Sequence, residues 1–495
     1  MIPLRPEAVA ASSCTHGGRV FECIQAPIDF SANLNPIQIP QMGSIIRGAC
    51  EDVSNYPDND YRAFRQAAAD FVNAYSNSDA SGCITADNII PANGSSEFIH
   101  LFAQLVLERG DTVIIPTPTF GEYEFQCRLF GAKISYVDHD KVMDISDGEL
   151  ASAKAIIFCN PNNPTGRLTQ KEDLIRFARR CVHAKTFLLV DEAFIELSDP
   201  PQSVADIVGI AGITDIDTRG VAIDVDATGS GYVMVMRSLT KVFSIPGLRI
   251  GFGVVGKDVF EIFNTCRLTW NIGSIAERVG IQILDLCTQE ATIPDNFIIR
   301  SLSHIRTERA WLTEHLLAIR GFKPLPSDVN YILIDITDFG MDSVEFTARM
   351  KQHNVLVRDC SSFKTLGTDY IRVAVRTRED NEILIHTIGE VVVDWGKDLA
   401  SQSLNLTFER GTTTSRTTCE YYPCHFKGQD CTFCFCPFYP CKDERTHGKI
   451  IEKSTGGEVW SCLDCHITHN SEVARRILDA FMENKNVDEV WSDII

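Results

Sequence analysis

The sequence predicts an α/β fold with a mostly parallel central sheet, a smaller α+β domain beside it and a separate cysteine-rich domain at the end. Short apolar runs, AIIFC (155–159), TFLLV (186–190) and YVMVM (232–236), are nearly continuous, as strands covered on both faces are. Helical spacings lie between such runs, for example Phe98, Phe102, Leu105 and Val106 on one face. Strands alternating with helices imply an α/β sheet whose site lies at the carboxyl ends of the strands. Of 18 cysteines, ten are scattered before residue 361 and eight fall between Cys419 and Cys465.

A chain of 495 residues exceeds what one hydrophobic core usually serves. Residues 1–50 read as an N-terminal segment of the small domain, 51–270 as the large domain and 271–400 as the rest of the small domain. Residues 199–230 read as an acidic surface excursion. The polar stretch SQSLNLTFERGTTTSRTT (401–418) reads as a linker, and 419–495 as the cysteine-rich domain. Within the latter, Val473, Ile477 and Phe481 mark one stripe of a terminal helix. A formal net charge of −20, with no run of basic residues, excludes nucleic acid and anionic membrane surfaces as expected partners. No signal-like or membrane-spanning apolar segment is evident, so a cytoplasmic protein is expected.

The strongest chemical signal is SLTKVFSIPGLRIGF (238–252). A lysine forms an imine with an aldehyde only when it can shed its proton, which partial burial favours. Lys241 follows the strand 232–236, and Ser238, Thr240 and Arg249 around it suit a phosphate dianion. Taken alone, such a lysine is more often a solvated surface charge. Two further segments lie at the same sheet edge: NPNNPTG (160–166), which offers the Asn163 amide, and VDEAF (190–194), which ends a buried strand on Asp191. A buried aspartate is costly without a cationic partner, and a protonated pyridine nitrogen is one. NGSSE (93–97) precedes a helix, so Gly94 permits a turn and the free amides attract phosphate. Phe120 in PTPTF has the shape to stack on a flat heteroaromatic ring.

Together, over residues 26–395, these segments resemble the aminotransferase-like, fold-type-I family of pyridoxal-phosphate enzymes. The resemblance implies pyridoxal 5'-phosphate linked to Lys241, with Asp191 on the pyridine nitrogen and Asn163 near the ring hydroxyl. It also implies phosphate contacts from Gly94, Ser95, Ser96, Ser238, Thr240 and Arg249. Tyr56 in NYPD resembles the tyrosine lent across a dimer interface, so a homodimer is implied. HGG (16–18), DFSANLNP (29–36), DEAF (191–194) and YIRVAVRT (370–377) are similar to the threonine-phosphate decarboxylases of that family more than to its histidinol-phosphate aminotransferases. The latter usually carry a tyrosine where Phe194 stands. That likeness implies decarboxylation of L-threonine O-3-phosphate to (R)-1-aminopropan-2-ol O-phosphate, a cobalamin building block. Arg372 resembles the family's carboxylate-binding arginine and Arg358 the one that holds the substrate phosphate, with His16 or Asn35 assisting. The alternatives are a histidinol-phosphate-type aminotransferase and a metal-binding regulatory protein with an inactive pyridoxal-phosphate fold.

The tail places Cys419, Cys424, Cys431, Cys434, Cys436, Cys441, Cys462 and Cys465 within 47 residues of one another, with His425, His447, His466 and His469 among them. So short a segment has little other means of making a core, and C-x2-C pairs suit tetrahedral metal. Zinc and an iron–sulfur cluster both fit this cysteine set.

Overall fold

The computed structural model describes residues 5–11, 27–75, 84–208, 215–216, 222–223, 231–410, 415–419, 421–434, 436–452 and 458–494. The chain divides into two units, Met1–Asn381 and Glu382–Ile495.

The first unit is built on a seven-stranded sheet. Its strands are β1 (Ile89–Ala92), β2 (Thr112–Thr117), β3 (Lys133–Asp138), β4 (Ala155–Cys159), β5 (Phe187–Asp191), β6 (Val233–Ser238) and β7 (Gly251–Val254). The spatial order is β1-β7-β6-β5-β4-β2-β3, with β7 antiparallel to both its neighbours and the rest parallel. The runs read as strands are therefore strands, within a residue or two at their ends. Every residue of β4 and β6 is buried. Side chains of β4, β5 and β6 alternate between two cores. Ile156, Phe158, Leu188 and Val190 belong to one, and Ile157, Cys159, Leu189 and Met234 to the other. Register fixes the site: Cys159 pairs with Asp191, and Asp191 with Met236, so β4 and β5 end level and β6 runs two residues further, to Ser238.

Helix α1 (Ser95–Val106) presents Phe98 and Phe102, both fully buried, to the second of these cores. A second, four-stranded sheet in this unit contains β8 (Tyr331–Asp335), β9 (Arg358–Asp359) and β10 (Tyr370–Ala374), all antiparallel. Part of the expected surface excursion is interior. Val204, Ala205, Ile207 and Val208 join the core, and buried Asp206 takes an ion pair from Lys171 at 2.5 Å. Apolar spacing in this segment is too short to announce a helix, which is why its acidic composition misled.

Helix α2 (Arg378–Arg410) begins in the last residues of the first unit and extends through residues 401–410, which were expected to be linker. Ser and Thr content suggested coil, yet no Gly or Pro stands between Lys397 and Arg410 to break the helix. A hairpin of β11 (Lys449–Glu452) and β12 (Glu458–Ser461) follows, then α3 (Ser471–Met482) and α4 (Val487–Ile494). Phe433, Phe438, Ala474, Ile477, Leu478 and Val490 form the small core of the second unit, with Val473 and Phe481 packed against it. Among the described residues, no helix is long and apolar enough to cross a membrane.

Gly253 in β7 has no room for a side chain: an added Cβ would fall 1.9 Å from a ring carbon of Phe98. Gly253→Ala is expected to cost about 1–3 kcal/mol by overpacking, read as a lower urea midpoint. Adding Phe98→Leu should recover part of that loss; additive losses would contradict the contact.

Candidate active site

A cavity of about 460 Å³ opens at the carboxyl ends of β4, β5 and β6. Lys241, Asp191, Asn163, Ser95, Ser96, Phe120, Ser238, Thr240, Arg249, Arg358 and Arg372 all line it. Sequence reading singled out each of these. Local structure explains how they converge.

Asp191 ends β5 and is buried. One carboxylate oxygen accepts from the Tyr123 hydroxyl at 2.5 Å and the other from the Ala193 amide at 2.9 Å. Neither donor is charged. Burial pushes the carboxyl up to about 6, against the Tyr123 and Ala193 hydrogen bonds and the pull of Lys241. Lys241 sits on a single helical turn, Leu239–Val242, directly after β6. Burial draws its amine down to about 8, and the positive fields of Arg372 and Arg249 help while Asp191 opposes. A lysine so placed sheds its proton far more readily than an exposed one.

The loop after β4 holds Asn163 in place through its neighbours. The Asn160 side chain accepts from the Thr169 amide at 2.7 Å, and that of Asn162 donates to Pro118 O at 3.0 Å and Thr165 Oγ1 at 2.9 Å. Asn163 Oδ1 then accepts from Arg372 Nη1. On the opposite wall, the N-terminus of α1 brings Ser95 and Ser96 beside Ser238 and Thr240, whose hydroxyls lie 2.8 Å apart. Gly94, at φ +74°, lets Arg249 approach: a Cβ there would lie 2.6 Å from its Nη2. Free amides, three serines, a threonine and a guanidinium make a phosphate cradle.

Arg372 and Arg358 face each other across β10 and β9 as directly paired residues, and both are buried. Burial pulls the Arg372 guanidinium down to about 10. Its Nη2 donates to Ser31 O at 3.0 Å, while its Nε has no hydrogen-bond partner. Arg358 donates to Ser362 Oγ at 2.8 Å. Like charges opposite one another on a sheet repel, and an anion between them would relieve that cost. Phe194 is buried edge-on against Tyr331, with ring centroids 5.1 Å apart.

One expected residue is placed otherwise. Asn35 does not line the cavity: its amide donates to Val242 O at 2.8 Å and Ser301 Oγ at 2.9 Å, and its Oδ1 accepts from the Ile37 amide. Its backbone N–H also donates to Lys241 O, so Asn35 clamps the lysine-bearing turn. Ser31, Ala32 and Asn33 of that segment line the cavity instead, and Asn33 is buried with Oδ1 unpartnered. Tyr56 is exposed, stacks on Trp270 at 4.4 Å and lies outside the cavity lining. His16 lies outside the described residues. Sequence reading also missed Tyr123. It stands in the first turn of the helix Glu122–Leu129, just after Phe120, but nothing in its own spacing marks it as a donor to Asp191.

The residues fit pyridoxal phosphate. A buried carboxylate whose hydrogen-bond donors are neutral suits a pyridinium nitrogen, the cradle suits its phosphate, and Lys241 between them suits its aldehyde.

The family model for aminotransferase class I and II matches residues 27–388, and a model described as a cysteine-rich small domain matches residues 411–490. The chain belongs to the class I and II aminotransferases. Its fold is the fold-type-I aminotransferase fold with a mostly parallel central sheet, followed by a cysteine-rich domain. As a member, it is an aminotransferase-like pyridoxal-phosphate enzyme. It is 27% identical to a histidinol-phosphate aminotransferase of Methanosphaera stadtmanae, over 74% of this chain and 90% of that one. It is also 27% identical to a putative threonine-phosphate decarboxylase of Caldanaerobacter subterraneus subsp. tengcongensis, over 75% of this chain and 92% of that one. Among solved structures it is similar to the histidinol-phosphate aminotransferase of Sinorhizobium meliloti in complex with pyridoxal-5'-phosphate, with a TM-score of 0.63 and 18% identity over 80% of this chain and 99% of that one.

Only an ionised Asp191 attracts a protonated ring nitrogen, so affinity for pyridoxal phosphate should fall as the pH drops through about 6. Tyr123→Phe removes a hydrogen bond that favours the carboxylate. That should weaken cofactor binding about tenfold or more and move the acid limb to higher pH. Spectrophotometric titration of the cofactor checks both; an unmoved limb would show that Tyr123 does not stabilise the carboxylate.

Proposed function

We propose that this chain decarboxylates L-threonine O-3-phosphate to (R)-1-aminopropan-2-ol O-phosphate and carbon dioxide. The observation that carries the reading is the pair of buried guanidinium groups, Arg358 and Arg372, lining one cavity with Lys241 and Asp191. Two cationic forks fit an amino acid that bears two anions, a carboxylate and a phosphate. Histidinol phosphate bears only the phosphate, although the dicarboxylate that partners an amino transfer bears two anions. The putative threonine-phosphate decarboxylase among the relatives supports the same reading.

Pyridoxal phosphate, when bound, supplies an electron sink conjugated to the substrate's Cα. The chain's part is to choose which Cα bond faces that sink. Arg372 takes the carboxylate and Arg358 the phosphate, so that the Cα–carboxylate bond stands perpendicular to the ring plane. Asp191 holds the ring-nitrogen proton, and Asn163 orients the ring oxygen. Phe194 contributes an apolar edge and no hydrogen bond there. Lys241 Nζ returns a proton to Cα after carbon dioxide leaves, which balances the reaction and avoids amino transfer. The surroundings that lower its amine to about 8 place it near the range useful for such a transfer. Tyr56, exposed here, serves a second copy's cofactor in a homodimer.

A second reading, amino transfer to or from a phosphorylated substrate, is favoured by the histidinol-phosphate aminotransferase names among the relatives. One assay separates the two. Purified chain loaded with pyridoxal phosphate and given O-phospho-L-threonine should release carbon dioxide equimolar with aminopropanol phosphate, with little amino transfer to 2-oxoglutarate. Lys241→Ala should abolish turnover, and Arg358→Gln should raise KM on the order of thirty-fold or more. Amino transfer without carbon dioxide would favour the second reading and end the first.

A further inference from the structure

The loop between β9 and β10, residues 360–369, joins the two substrate arginines to the far wall of the cavity. Its ends are fastened to the small sheet. The Cys360 amide donates to Tyr370 O at 3.1 Å, and Asp359 accepts from the Ser361 amide at 2.8 Å and the Ser343 hydroxyl at 2.7 Å. The Ser343 amide in turn donates to Thr368 O at 2.8 Å. Between these ends the loop reaches two ways. Inward, Phe363 is buried and lines the cavity. Two guanidinium groups share its ring: the centroid lies 5.4 Å from Arg358 Cζ and 6.0 Å from Arg372 Cζ. Arg372 also meets the Tyr331 ring, at 5.3 Å. Outward, Lys364 Nζ stands 4.0 Å from the ring centroid of Tyr136, on β3 at the edge of the large sheet. Arg128 steadies that ring, donating to the Tyr136 hydroxyl at 3.2 Å and to Glu124 Oε1 at 2.8 Å.

Thr365 follows at φ +78°. That backbone is unfavourable for a β-branched residue and persists only where its neighbours impose it. Those neighbours are Lys364, on Tyr136, and Leu366, which packs with Leu333, Cys360 and Phe363. Contacts on both sides of the cavity therefore hold the loop in one shape. We propose that Phe363 is a specificity-determining positioning residue: its ring fixes both guanidinium groups before a ligand arrives, so that the cavity selects short amines bearing two anions over those bearing one, and the contact of Lys364 with Tyr136 holds that ring in place. An arginine has many rotamers, and ordering one on binding weakens affinity by roughly two- to tenfold. Phe363 removes that cost twice for a ligand that meets both arginines and once for a ligand that meets one. This rests on the reading that Arg358 and Arg372 bind substrate anions, and not on which reaction follows.

The test uses the full chain loaded with pyridoxal phosphate and reads binding from the change in cofactor absorbance. Three amines serve as probes: O-phospho-L-threonine, L-threonine and O-phosphoethanolamine. The wild-type chain should prefer the first. Phe363→Leu should weaken O-phospho-L-threonine about tenfold or more and each one-anion amine only about threefold, with affinity for the cofactor unchanged. Phe363→Tyr, which keeps the ring, should bind all three as the wild type does. On the surface, Lys364→Met and Tyr136→Leu should each weaken O-phospho-L-threonine about two- to fivefold, the pair no more than either alone, while Tyr136→Phe has little effect. Equal losses on all three amines in Phe363→Leu, or no loss on O-phospho-L-threonine, would overturn the inference, as would additive losses from Lys364→Met and Tyr136→Leu. A wild-type chain with no preference for two anions would overturn the arginine reading and this inference with it. Failure of the decarboxylation reading alone looks different: amino transfer products, with the two-anion preference and its dependence on Phe363 intact.

Discussion

Asp191 is a carboxylate at the end of a central strand, surrounded by protein and met only by neutral donors. Leaving a charge there without a cation is expensive, and the site is organised around that cost. β5 carries Asp191 to the sheet edge because its preceding residues are apolar on both faces, and pairing with β4 and β6 sets the depth at which the strand stops. Tyr123, from the helix Glu122–Leu129, holds one oxygen, which fixes the direction of the carboxylate. Lys241 lies within its field, on the helical turn that follows the next strand over. A ring whose nitrogen meets Asp191 and whose aldehyde meets Lys241 satisfies both groups at once.

The cation side obeys the same logic. Arg358 and Arg372 are register partners, forced close by the sheet, and both are buried. Arg372 also reaches Asn163 and Ser31 O, so the strand-bound guanidinium ties the small sheet to the loop after β4. Anion binding is therefore coupled to the position of the residue expected beside the ring. Arg249 stands apart at the helix N-terminus, where Gly94 alone leaves it space. Separate cationic stations for cofactor phosphate and for substrate follow from this division.

Much of this was legible in the sequence. The buried strands announce themselves because continuous apolar runs have few other solutions, and Lys241, Asp191, Asn163 and Arg249 follow as punctuation at their ends. What stayed hidden depends on side-chain direction. In DFSANLNP, Asn33 and Asn35 share a strand-like parity, and nothing local says that one reaches the cavity while the other ties down Val242 and Ser301. Tyr123 looks like any aromatic residue on a helix. The segment 204–208 is too short for periodicity to show that it turns inward, and the helix through 401–410 has a polar composition that reads as coil. The domain boundaries and the homodimer remain readings of the sequence.

The second unit shows how few apolar side chains a chain of this kind commits to its own core. The account as a whole, however, stands on the first unit's lysine. Borohydride reduction of the pyridoxal-phosphate-loaded chain, followed by peptide mass spectrometry, tests it most directly. The account predicts a single phosphopyridoxyl adduct on Lys241. An adduct on another lysine, or none with the cofactor bound, would contradict it.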